Sequence, residues 1–594
     1  MKFRLVLIAL RISVTSRWPQ VTRLYWKNRR RRADTFNDEP IFFYRSKDCK
    51  RQRARMAARR PDSFNRRAKV QNINPKCELQ YPKITICLVT YNSQNWIPGW
   101  IKAIAACEYP HDKLSLSVVD NASTDKTIDT LEKCLSTAPH LKLHAFHKSE
   151  SNLGFGRGQN IAIDNAADEY ILVINPDAFL KPGSLSKAIE FSLNDESDVC
   201  AWEFSQLPYE HPKYYDPVTL ETSWNAHACV LLKKSAVIAA GGYDNSLFMY
   251  GEDVDLSYKL RAAGFRLRYL PKSKVLHDGF LLHGKRDEQS VRIIAANLGL
   301  RRRYGTFSDR LVGCLMVLRS RLSTQDNVKK TYKKAWRIYK KNRPNFKPTK
   351  RKNVYFPFNG FSFERRRPGA QVEVQGNQGA LPKISVITRI HKKTDVLGDA
   401  LISVKNQSYS NVEHVIVFDK CEPYFISGQK VVQSSFATRS EAANAGAFES
   451  TGEYLLFLDY DDVLFADHLE GLMGAIRENP EAVCAYALSW EAMSSNRQNG
   501  ADKGLGLQNG MESEYSAAKL QHQNFFAIQS LLIKRSAFES VGGFNENLDK
   551  LEDWDLWIKL SKQGEFAPFS KVTSIFYTPS NILSRFKRAL DLLP

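Results

Sequence analysis

Short hydrophobic runs alternate with amphipathic segments along most of the chain. Three β-branched runs, "ITICLV", "LSLSVVD" and "YILVIN", begin at residues 84, 114 and 170 and predict buried strands. The segment "NWIPGWIKAIAACEYP" lies between the first two runs, and its apolar spacing predicts a helix. Strands that are apolar on both faces and separated by helices are typical of a parallel sheet covered on both sides. The predicted fold class is therefore α/β, with a mainly parallel, Rossmann-like sheet.

The same pattern occurs twice. "PKITICLVTYNS" at 82–93 is repeated as "PKISVITRIHKK" at 382–393, and "AAGGYDNSLFMYGEDVDLSYKLRAAG" is repeated as "SVGGFNENLDKLEDWDLWIKLSKQG". Offsets between matched positions drift from 284 to 300, which indicates insertions and deletions within one shared fold. We therefore predict two copies of one domain, at 83–305 and 381–594, joined by a basic helical linker at 306–380. The matched polar pairs are Thr90 and Thr388, Asp120 and Asp419, Asp177 and Asp461, and Asp253 and Asp553.

Length and charge narrow the function classes. At 594 residues and 43% hydrophobic, the chain can bury more than one large core. The net charge of +23 suggests a nucleic-acid partner, but the basicity is concentrated in two segments. Residues 1–72 hold 21 Lys and Arg against 5 Asp and Glu, residues 301–352 hold 18 against 2, and the rest of the chain is net −9. Because the bulk of the chain is mildly acidic, nucleic acid is disfavoured as the partner.

The basic N-terminal extension, 1–82, opens on "MKFRLVLIALRIS". Its apolar core, Leu5 to Leu10, is too short to span a membrane and marginal for a signal peptide. With "KNRRRR" close behind, one interpretation is an interfacial helix with a polybasic patch on an anionic membrane, and the other is a disordered tail. The ten cysteines are scattered singly, without a C-x-x-C pair. This spacing favours a cytoplasmic protein, at most peripheral at the inner face of the cell membrane.

Polar residues follow each predicted strand. In open α/β sheets ligands bind beyond the carboxyl ends of the strands, so these residues are candidates for a binding site. Any one of them alone would more often be a turn or a helix cap. Their recurrence in the same order in both copies weakens that alternative. They are Thr90, Tyr91, Asn92, Asp120, Asn121, Asn175 and Asp177 in the first copy, and Thr388, Arg389, Asp419, Asp459, Asp461 and Asp462 in the second.

The acidic residues suit a specific chemistry. Aspartates at the end of a buried strand repel one another unless a cation is bound, and Mg2+ or Mn2+ bridging a diphosphate would provide one. The stretch "LFMYGEDVDLS" at 247–257 places Glu252, Asp253 and Asp255 beside an aromatic cluster. An acidic helix start explains part of this charge, whereas Asp253 and its counterpart Asp553 also suit a general base. A diphosphate site with a base nearby indicates glycosyl transfer from a sugar nucleotide.

These residues carry a resemblance to a known family. Both copies resemble glycosyltransferase family 2 domains, which implies the GT-A fold, an inverting mechanism, a nucleotide-sugar donor and Mg2+ or Mn2+. The first copy is similar to the rhamnosyltransferase and galactofuranosyltransferase branch, which implies dTDP-rhamnose or a UDP-sugar as donor. The motifs of the first copy are "TYNS", "VVDNASTD", "NLGFGRGQN", "NPDAFL" and "FMYGEDVDLSYKLRAAGFRLRYLPKSKVLH", and those of the second are "RSEAANAGAFESTGEYLLFLDYDDVL" and "GGFNENLDKLEDWDLWIKL".

For the first copy, the resemblance implies a role for each matching residue. Asp253 is the expected base. Asp177, the last position of the D-x-D motif, and His277 are the expected metal ligands, and Asn175 stands where the motif has its first aspartate. A structural histidine is the alternative for His277. The expected nucleotide-binding residues are Thr90, Tyr91, Asn92, Asp120, Asn152, Gly154, Gly156 and Asn160.

For the second copy, the resemblance implies Asp553 as base, and Asp459 and Asp461 as metal ligands. The expected nucleotide-binding residues are Thr388, Asp419, Arg439, Asn444 and Asp459. Three departures put its donor and its activity in question. "TRIHKK" replaces the usual T-Y-N, Phe418-Asp419 replaces an Asp-Asp pair, and "KVTSIFYTPSN" has no histidine.

Three hypotheses follow. The leading one is a bifunctional hexosyltransferase that adds two sugars to a glycan or lipid-linked glycan of a bacterial surface polysaccharide, such as O-antigen, capsule or cell-wall glycan. The second is one active domain, with the other docking the acceptor. The third is a non-catalytic nucleotide-sugar or nucleic-acid binding protein, suggested by aromatic residues among the lysines of "KKTYKKAWRIYKKNRPNFKPTKRK". That segment also suits a helix on an anionic membrane or against the acidic domains. A nucleotidyltransferase would need a glycine-rich basic phosphate loop, which neither copy has.

Overall fold

The computed structural model describes most of the chain beyond the N-terminal extension. All described residues belong to one unit, Arg60–Pro594. The N-terminal segment predicted to meet a membrane, and the linker between 359 and 380, lie outside the described residues. Among the described helices, none combines the length and the apolar character needed to cross a bilayer. The described residues are 80–208, 210–211, 214–278, 287–349, 356, 358, 381–423, 429–493, 515–548 and 550–578.

The described residues of the first domain form a nine-stranded sheet with helices on both faces. The strands are β1 (Ile84–Thr90), β2 (Leu114–Asp120), β3 (Lys142–Lys148), β4 (Tyr170–Ile174), β5 (Ala178–Leu180), β6 (Val199–Leu207), β7 (Glu221–Thr222), β8 (Cys229–Lys233) and β9 (Arg266–His277). The helices are α1 (Ile97–Ala105), α2 (Thr127–Ser136), α3 (Phe155–Asp164), α4 (Ser184–Leu193), α5 (Lys234–Ala239) and α6 (Glu252–Ala262). The sheet order is β3-β2-β1-β4-β8-β6-β9-β5, and β7 pairs with β9.

The central strand β1 shows why the hydrophobic runs predict this sheet. All seven of its residues are buried. Ile84, Ile86 and Leu88 face the core that contains Trp100 of α1, whereas Cys87 and Val89 face a second core on the other side. Alternate side chains of a strand point to opposite faces, so a strand covered on both sides must be apolar throughout. β2 and β4 run parallel to β1 on its two sides, so their carboxyl ends lie at one edge of the sheet.

The second domain repeats this architecture within its described residues. Its sheet order is β12-β11-β10-β13-β16-β15-β17-β14, which matches the first sheet strand for strand except for β7. The predicted repeat and the predicted α/β, GT-A fold class are thereby confirmed. The strands are β10 (Ile384–Ile390), β11 (Val412–Asp419), β12 (Lys430–Ser434), β13 (Tyr454–Asp459), β14 (Val463–Leu464), β15 (Cys484–Met493), β16 (Leu531–Lys534) and β17 (Phe566–Thr578). The helices are α10 (Leu397–Lys405), α11 (Arg439–Glu449), α12 (His468–Glu478), α13 (Ala517–Leu520), α14 (Arg535–Ser540) and α15 (Glu552–Ser561); the linker helices, described next, are numbered α7 to α9 by their place in the chain.

A three-helix unit follows the first domain: α7 (Asp287–Tyr304), α8 (Phe307–Arg321) and α9 (Asp326–Asn342). A small core of Val291, Ala295 and Ala335 joins α7 to α9. The sequence boundary predicted at 305 falls in the turn between α7 and α8. There Thr306 accepts from the Asp309 backbone N–H while the Asp309 carboxylate accepts from the Thr306 N–H, forming a capping box. The helices on either side of the predicted boundary therefore pack as one unit.

The strand register corrects two matched pairs, Thr90 with Thr388 and Asp120 with Asp419. Thr90 lies opposite Asp120, whereas its counterpart Ile390 lies opposite Phe418. Ile84 pairs with Tyr170 in the first sheet, and Ile384 pairs with Tyr454 in the second, so β1 and β10 correspond at an offset of 300. Thr388 therefore corresponds to Leu88 and not to Thr90. Thr388 is buried inside its strand, and its hydroxyl lies 2.8 Å from His414 Nε2. The predicted nucleotide-binding position of Thr388 is therefore wrong. Thr388 was matched to Thr90 because both residues are threonine, but the strand register does not place them at equivalent positions.

The two domains share a buried aromatic contact. Tyr215 packs against Tyr269 of its own domain, with ring centroids 4.5 Å apart, and against Phe465 of the second domain at 5.4 Å. The backbone N–H of Ala466 donates to Tyr215 Oη at 3.1 Å. At the rim of this contact, Lys274 Nζ lies 2.8 Å from Glu470 Oε1. The interface therefore has an apolar centre and a polar rim, as stable domain contacts do.

Truncation of Tyr215 should destabilise the chain. We expect Tyr215→Ala to lower the free energy of unfolding by about 3 to 5 kcal/mol, because it leaves a large cavity in the interface. Tyr215→Phe should cost about 1 kcal/mol, since the buried N–H of Ala466 loses its acceptor. Urea unfolding followed by tryptophan fluorescence measures both. Tyr91→Phe is the control, because Tyr91 is 48% exposed and its change should be within about 0.5 kcal/mol. An unchanged midpoint for Tyr215→Ala would mean that the interface does not form in solution.

Candidate active sites

The ends of β1 and β2 are tied together by a buried aspartate. Asp120 accepts from the Thr90 hydroxyl at 2.8 Å and from the Ser123 backbone N–H and hydroxyl at 2.9 and 2.6 Å. The Asn92 N–H donates to the same Ser123 hydroxyl at 2.9 Å. Tyr91 lies exposed at the rim. The structure therefore brings Thr90, Tyr91, Asn92 and Asp120 together at the sheet edge, with Asp120 bonded to protein groups.

The glycine-rich loop before α3 lies against the segment that leads into α6. Gly154 has φ +83°, and a Cβ there would come 2.1 Å from the Phe248 carbonyl oxygen. Only glycine permits this approach, and it lets the neighbouring Phe155 N–H donate to the same oxygen at 3.0 Å. The Gly154 N–H donates to Asn152 Oδ1 at 2.9 Å. Asn152 and Gly154 thus hold the loop to this segment, and their role in nucleotide binding stays a prediction.

Gly156 and Asn160 hold the same segment from within α3. A Cβ on Gly156 would meet Tyr243 at 3.1 Å and Glu252 at 3.5 Å, so α3 lies close to the start of α6. Asn160 Nδ2 donates to the Tyr243 carbonyl at 3.0 Å, and the Tyr243 N–H donates to Asn160 Oδ1 at 2.9 Å. Gly156 and Asn160, both predicted to face the nucleotide, therefore contact protein in this structure.

The predicted metal ligands of the first domain are neighbours. Register pairing of Ala178 with His277 brings β5 and β9 together, and His277 Nε2 lies 3.5 Å from Asp177 Oδ1. His277 Nδ1 lies 2.9 Å from Gln206 Oε1, an arrangement that places the imidazole proton on Nδ1. His277 Nε2 and the Asp177 carboxylate, both common metal-ligating groups, therefore face each other at a distance at which both could bind one cation.

A third candidate ligand atom follows directly after β4 and lacks a partner. Asn175 Oδ1, at the end of β4, is buried and has no hydrogen-bond partner. An amide oxygen, a carboxylate and an imidazole are ligands that Mg2+ or Mn2+ accepts, with a diphosphate completing the shell. Among the residues that the structure describes, no group of three or more His, Cys, Asp and Glu side chains is arranged to hold a metal ion. The donor set of Asn175, Asp177 and His277 nevertheless fits a divalent cation shared with a ligand.

The three carboxylates at the start of α6 have different surroundings. Asp255 is fully buried, accepts from Tyr304 Oη at 2.8 Å and is paired with Arg303, so it fastens α7 to α6. Burial, with the neighbouring Asp253 as the second cause, raises the pKa of Glu252 to about 8. Glu252 is therefore uncharged at neutral pH. Asp253 is partly exposed, and its Oδ1 accepts from the Val254 N–H at 2.8 Å. Of the three, Asp253 is the carboxylate placed to meet a ligand.

The acidic residues of the second domain are paired with arginines. Arg389 on β10 is the register partner of Asp459 on β13, and its Nη2 donates to Asp459 Oδ1 at 3.0 Å. Its Nη1 donates to Glu552 Oε1 at 3.2 Å. Arg439 Nη2 donates to Asp459 Oδ2 at 3.2 Å. Both oxygens of Asp459 therefore contact a guanidinium group, and this donor set does not fit the divalent cation that the D-x-D motif implies.

The arginine network was not foreseen from the sequence. In the first domain Val89 occupies the position of Arg389. A charged residue in an otherwise apolar strand was the available signal, since Arg389 is buried apart from about 8% of its side chain. Asp461, the other predicted metal ligand, lies partly exposed in the turn between β13 and β14.

The predicted base of the second domain has its own polar partner. Asn524 Nδ2 donates to Asp553 Oδ2 at 3.1 Å. Burial, followed by the nearby Glu552, raises the pKa of Asp553 to about 6. Asn524 was missed by the sequence analysis because no motif contains it. Of the remaining predicted residues, Asp419 accepts from the Phe436 N–H at 3.0 Å and Asn444 bonds to the Phe544 backbone as Asn160 does to Tyr243.

Comparison with known proteins gives family matches for both domains. A family model described as "Glycosyl transferase family 2" matches residues 85–215, and one described as "Glycosyltransferase like family 2" matches residues 389–592. Together the two matches span more than half of the chain.

Among curated relatives, the N-acetylglucosaminyl-diphospho-decaprenol L-rhamnosyltransferase of Mycobacterium tuberculosis is 24% identical over 241 residues, covering 33% of this chain and 75% of the relative. The rhamnosyltransferase WbbL of Escherichia coli is 31% identical over 163 residues, covering 21% of this chain and 60% of the relative.

Among solved structures, a mannosyltransferase from Pyrobaculum calidifontis in complex with GDP-Man and Mn2+ is 19% identical, covers 45% of this chain and 76% of its own, and has a TM-score of 0.33. From the two family matches and the duplicated fold, the chain is a tandem glycosyltransferase of family 2, and its first domain is rhamnosyltransferase-like.

Proposed function

We propose that the first domain transfers a sugar, with inversion, from a nucleotide-sugar donor to a hydroxyl group of a lipid-linked or polymeric glycan. The observation that carries this proposal is the pairing of Asp177 with His277 close in the chain to Asn175, whose buried Oδ1 has no hydrogen-bond partner. The parallel strands β1, β2 and β4 end at one edge of the sheet. Helix α3 packs on β1 and β2, and its Gly156 lies against Glu252 at the start of α6. dTDP-rhamnose or a UDP-sugar is the proposed donor, since two relatives are rhamnosyltransferases.

The proposed reaction uses Asp253 as the base. The acceptor hydroxyl loses its proton to the Asp253 carboxylate as its oxygen bonds to the anomeric carbon. The bond between that carbon and the diphosphate oxygen breaks, and the nucleoside diphosphate leaves with the electron pair. When bound, a divalent cation at Asn175, Asp177 and His277 would offset the charge of the diphosphate. Uncharged Glu252 keeps a second negative charge away from Asp253 at neutral pH.

We propose a second transfer in the second domain, with Asp553 as base and without a divalent cation. Support comes from the contacts of Arg389 and Arg439 with Asp459 and Glu552, which put two guanidinium groups beside these carboxylates, whereas Val89 occupies the position of Arg389 in the first domain. Guanidinium groups bind phosphate oxygens through two parallel hydrogen bonds. The chain is then a bifunctional glycosyltransferase with two differently built donor sites. The same ion pairs also favour the alternative, in which the second domain only docks the acceptor.

Removal of each base should abolish one activity. We expect Asp253→Asn to reduce transfer from the first donor by about 100-fold to 10,000-fold, because the acceptor proton has no carboxylate to accept it. Asp553→Asn should do the same for the second activity alone. A screen of nucleotide sugars against the full-length variants, with product detection by mass spectrometry, measures both. Asp129→Asn, on the exposed start of α2, is the control. Unchanged turnover in both variants refutes the two-base proposal, and an effect of Asp253→Asn alone supports the docking alternative.

Acid should inhibit the second activity below pH 6. Asp553 must be ionised to accept a proton, and its pKa of about 6 implies a tenfold loss of kcat/KM for each pH unit below that value. Asn524→Ala should move this acid limb to higher pH, because the hydrogen bond from Asn524 favours the ionised carboxylate. The measurement is the pH dependence of kcat/KM in the Asp253→Asn variant. If Asn524→Ala does not change the pH dependence of kcat/KM, the loss of activity in acid is not due to protonation of Asp553.

Removal of divalent cations by a chelator should distinguish the activity of the first domain from that of the second. We expect EDTA to abolish the first activity, measured in Asp553→Asn, and to spare the second, measured in Asp253→Asn. Calorimetric titration of Mn2+ into the nucleotide-bound variants provides a readout that does not depend on activity.

The variant Arg389→Val carries the residue that the first domain has at this position. It should weaken nucleoside diphosphate binding at the second site by about tenfold or more, since a charge-assisted contact is lost. Loss of both activities on chelation, with Mn2+ bound at both sites, refutes the arginine proposal.

A further inference from the structure

The helix α8 has its apolar face turned outward. Phe307 is 81% exposed and Leu322, directly after the helix, is 85% exposed. Leu311, Leu315 and Leu318 are exposed between them. The spacing of these five residues, at i, i+4, i+8, i+11 and i+15, puts them on one side of a helix.

The opposite side of α8 is the buried one. Gly313, Val317 and Ser320 are buried there, and a Cβ on Gly313 would meet Arg301 and Leu298 of α7 at 3.1 and 3.2 Å. A soluble amphipathic helix places its apolar stripe inward and its polar residues outward. In α8 small and weakly apolar residues pack inward and large apolar ones face solvent. A continuous exposed apolar face of this kind marks an interaction site.

Basic residues flank this apolar face. Arg319 and Arg321 are exposed on α8, and helical spacing places them on the two flanks of the apolar stripe. Residues 287–349 contain 16 Lys and Arg against 4 Asp and Glu. The lysines of α9 add to this field, and Lys329, Lys330, Lys333, Lys334, Lys340 and Lys341 are among its basic residues.

We propose that the outward face of α8, flanked by Arg319 and Arg321, binds the headgroup region of an anionic lipid bilayer. Leucine and phenylalanine enter the acyl boundary, and the arginines contact lipid phosphates. A second copy of this chain is disfavoured, because two such units of net +12 would repel each other. The N-terminal extension carries net +16 over residues 1–72 and is disfavoured for the same reason. Nucleic acid would leave the leucines in water.

Docking through α8 would fix the first active site relative to the bilayer. The last turn of α7 carries Arg303, which is paired with both Asp255 of α6 and Asp244, and Tyr304, which bonds to Asp255. Only Gly305 and Thr306 separate this joint from α8. A bilayer-bound α8 is therefore connected to the helix that bears Asp253 without a flexible segment. This consequence rests on the proposed function, whereas the docking itself does not.

The test is binding of the full chain to vesicles, independent of transfer. We compare flotation with vesicles of phosphatidylcholine alone and of phosphatidylcholine with 30% phosphatidylglycerol. The variant Phe307→Ser/Leu311→Ser/Leu318→Ser should lower the partition coefficient on the anionic vesicles by at least tenfold. Arg319→Gln/Arg321→Gln should lower it by roughly fivefold per arginine. Phe448→Ser is the matched control, because Phe448 is 86% exposed on α11 and should not change binding.

A second measurement locates the contact on α8 itself. In Phe307→Trp, we expect the tryptophan emission to shift to shorter wavelength on anionic vesicles, beyond any shift of the unmodified chain. Binding at wild-type strength by the serine variant, or an unmoved emission in Phe307→Trp while the chain is vesicle-bound, overturns the proposal. The proposal is also overturned if the unmodified chain does not bind vesicles but forms a concentration-dependent dimer that the serine substitutions convert to monomer.

Discussion

An asparagine side chain fixes the turn before the acidic helix in each domain, and the rest of the site depends on it. Asn160 bonds to both the N–H and the carbonyl of Tyr243, and Asn444 bonds in the same way to Phe544. The approach is possible because a glycine precedes each aromatic residue: Gly242 has φ +60° and lies against Asn160. A side-chain amide that replaces a backbone partner satisfies two groups that would otherwise be buried and unpaired. It also links α3 and α11 to the turns that precede the helices bearing Asp253 and Asp553.

With the base helix held in place, each domain must manage an excess of buried carboxylates, and they do so differently. In the first domain Glu252 has its pKa raised to about 8 by burial and by Asp253, so the charge is removed by protonation. In the second domain Arg389 lies where Val89 lies in the first, and Glu552 is paired with it. An ion pair keeps the charge and neutralises it locally. The same backbone thus supports one site in which protonation removes a negative charge and one in which arginines offset it.

Much of the fold was predictable from the sequence, and less of the site was. Strands apolar on both faces, such as β1, carry a strong signal, and the duplicated pattern around Asp253 identified both copies. Thr388 was misplaced because identity aligned it with Thr90, whereas the register that pairs Ile384 with Tyr454 is a property of the sheet. The contact of Arg389 with Asp459 joins neighbouring strands 70 residues apart, and no local pattern reports such a pair. Polar residues were recognised, but their partners were not.

The three carboxylates of "GEDVDLS" show how one stretch can serve three purposes. Asp253 is partly exposed, Glu252 is buried and uncharged next to it, and Asp255 is the anchor for Arg303 and Tyr304 of α7. A buried carboxylate that meets a guanidinium and a hydroxyl is stable only while both partners stay in place, because its charge would otherwise be unpaired. The position of α7, and with it the turn into α8, is therefore set by the same helix that presents the base. In the sequence, the acidic start of α6 suggests a favourable interaction with the helix dipole. In the folded chain, the same residues connect the active site to the basic three-helix unit.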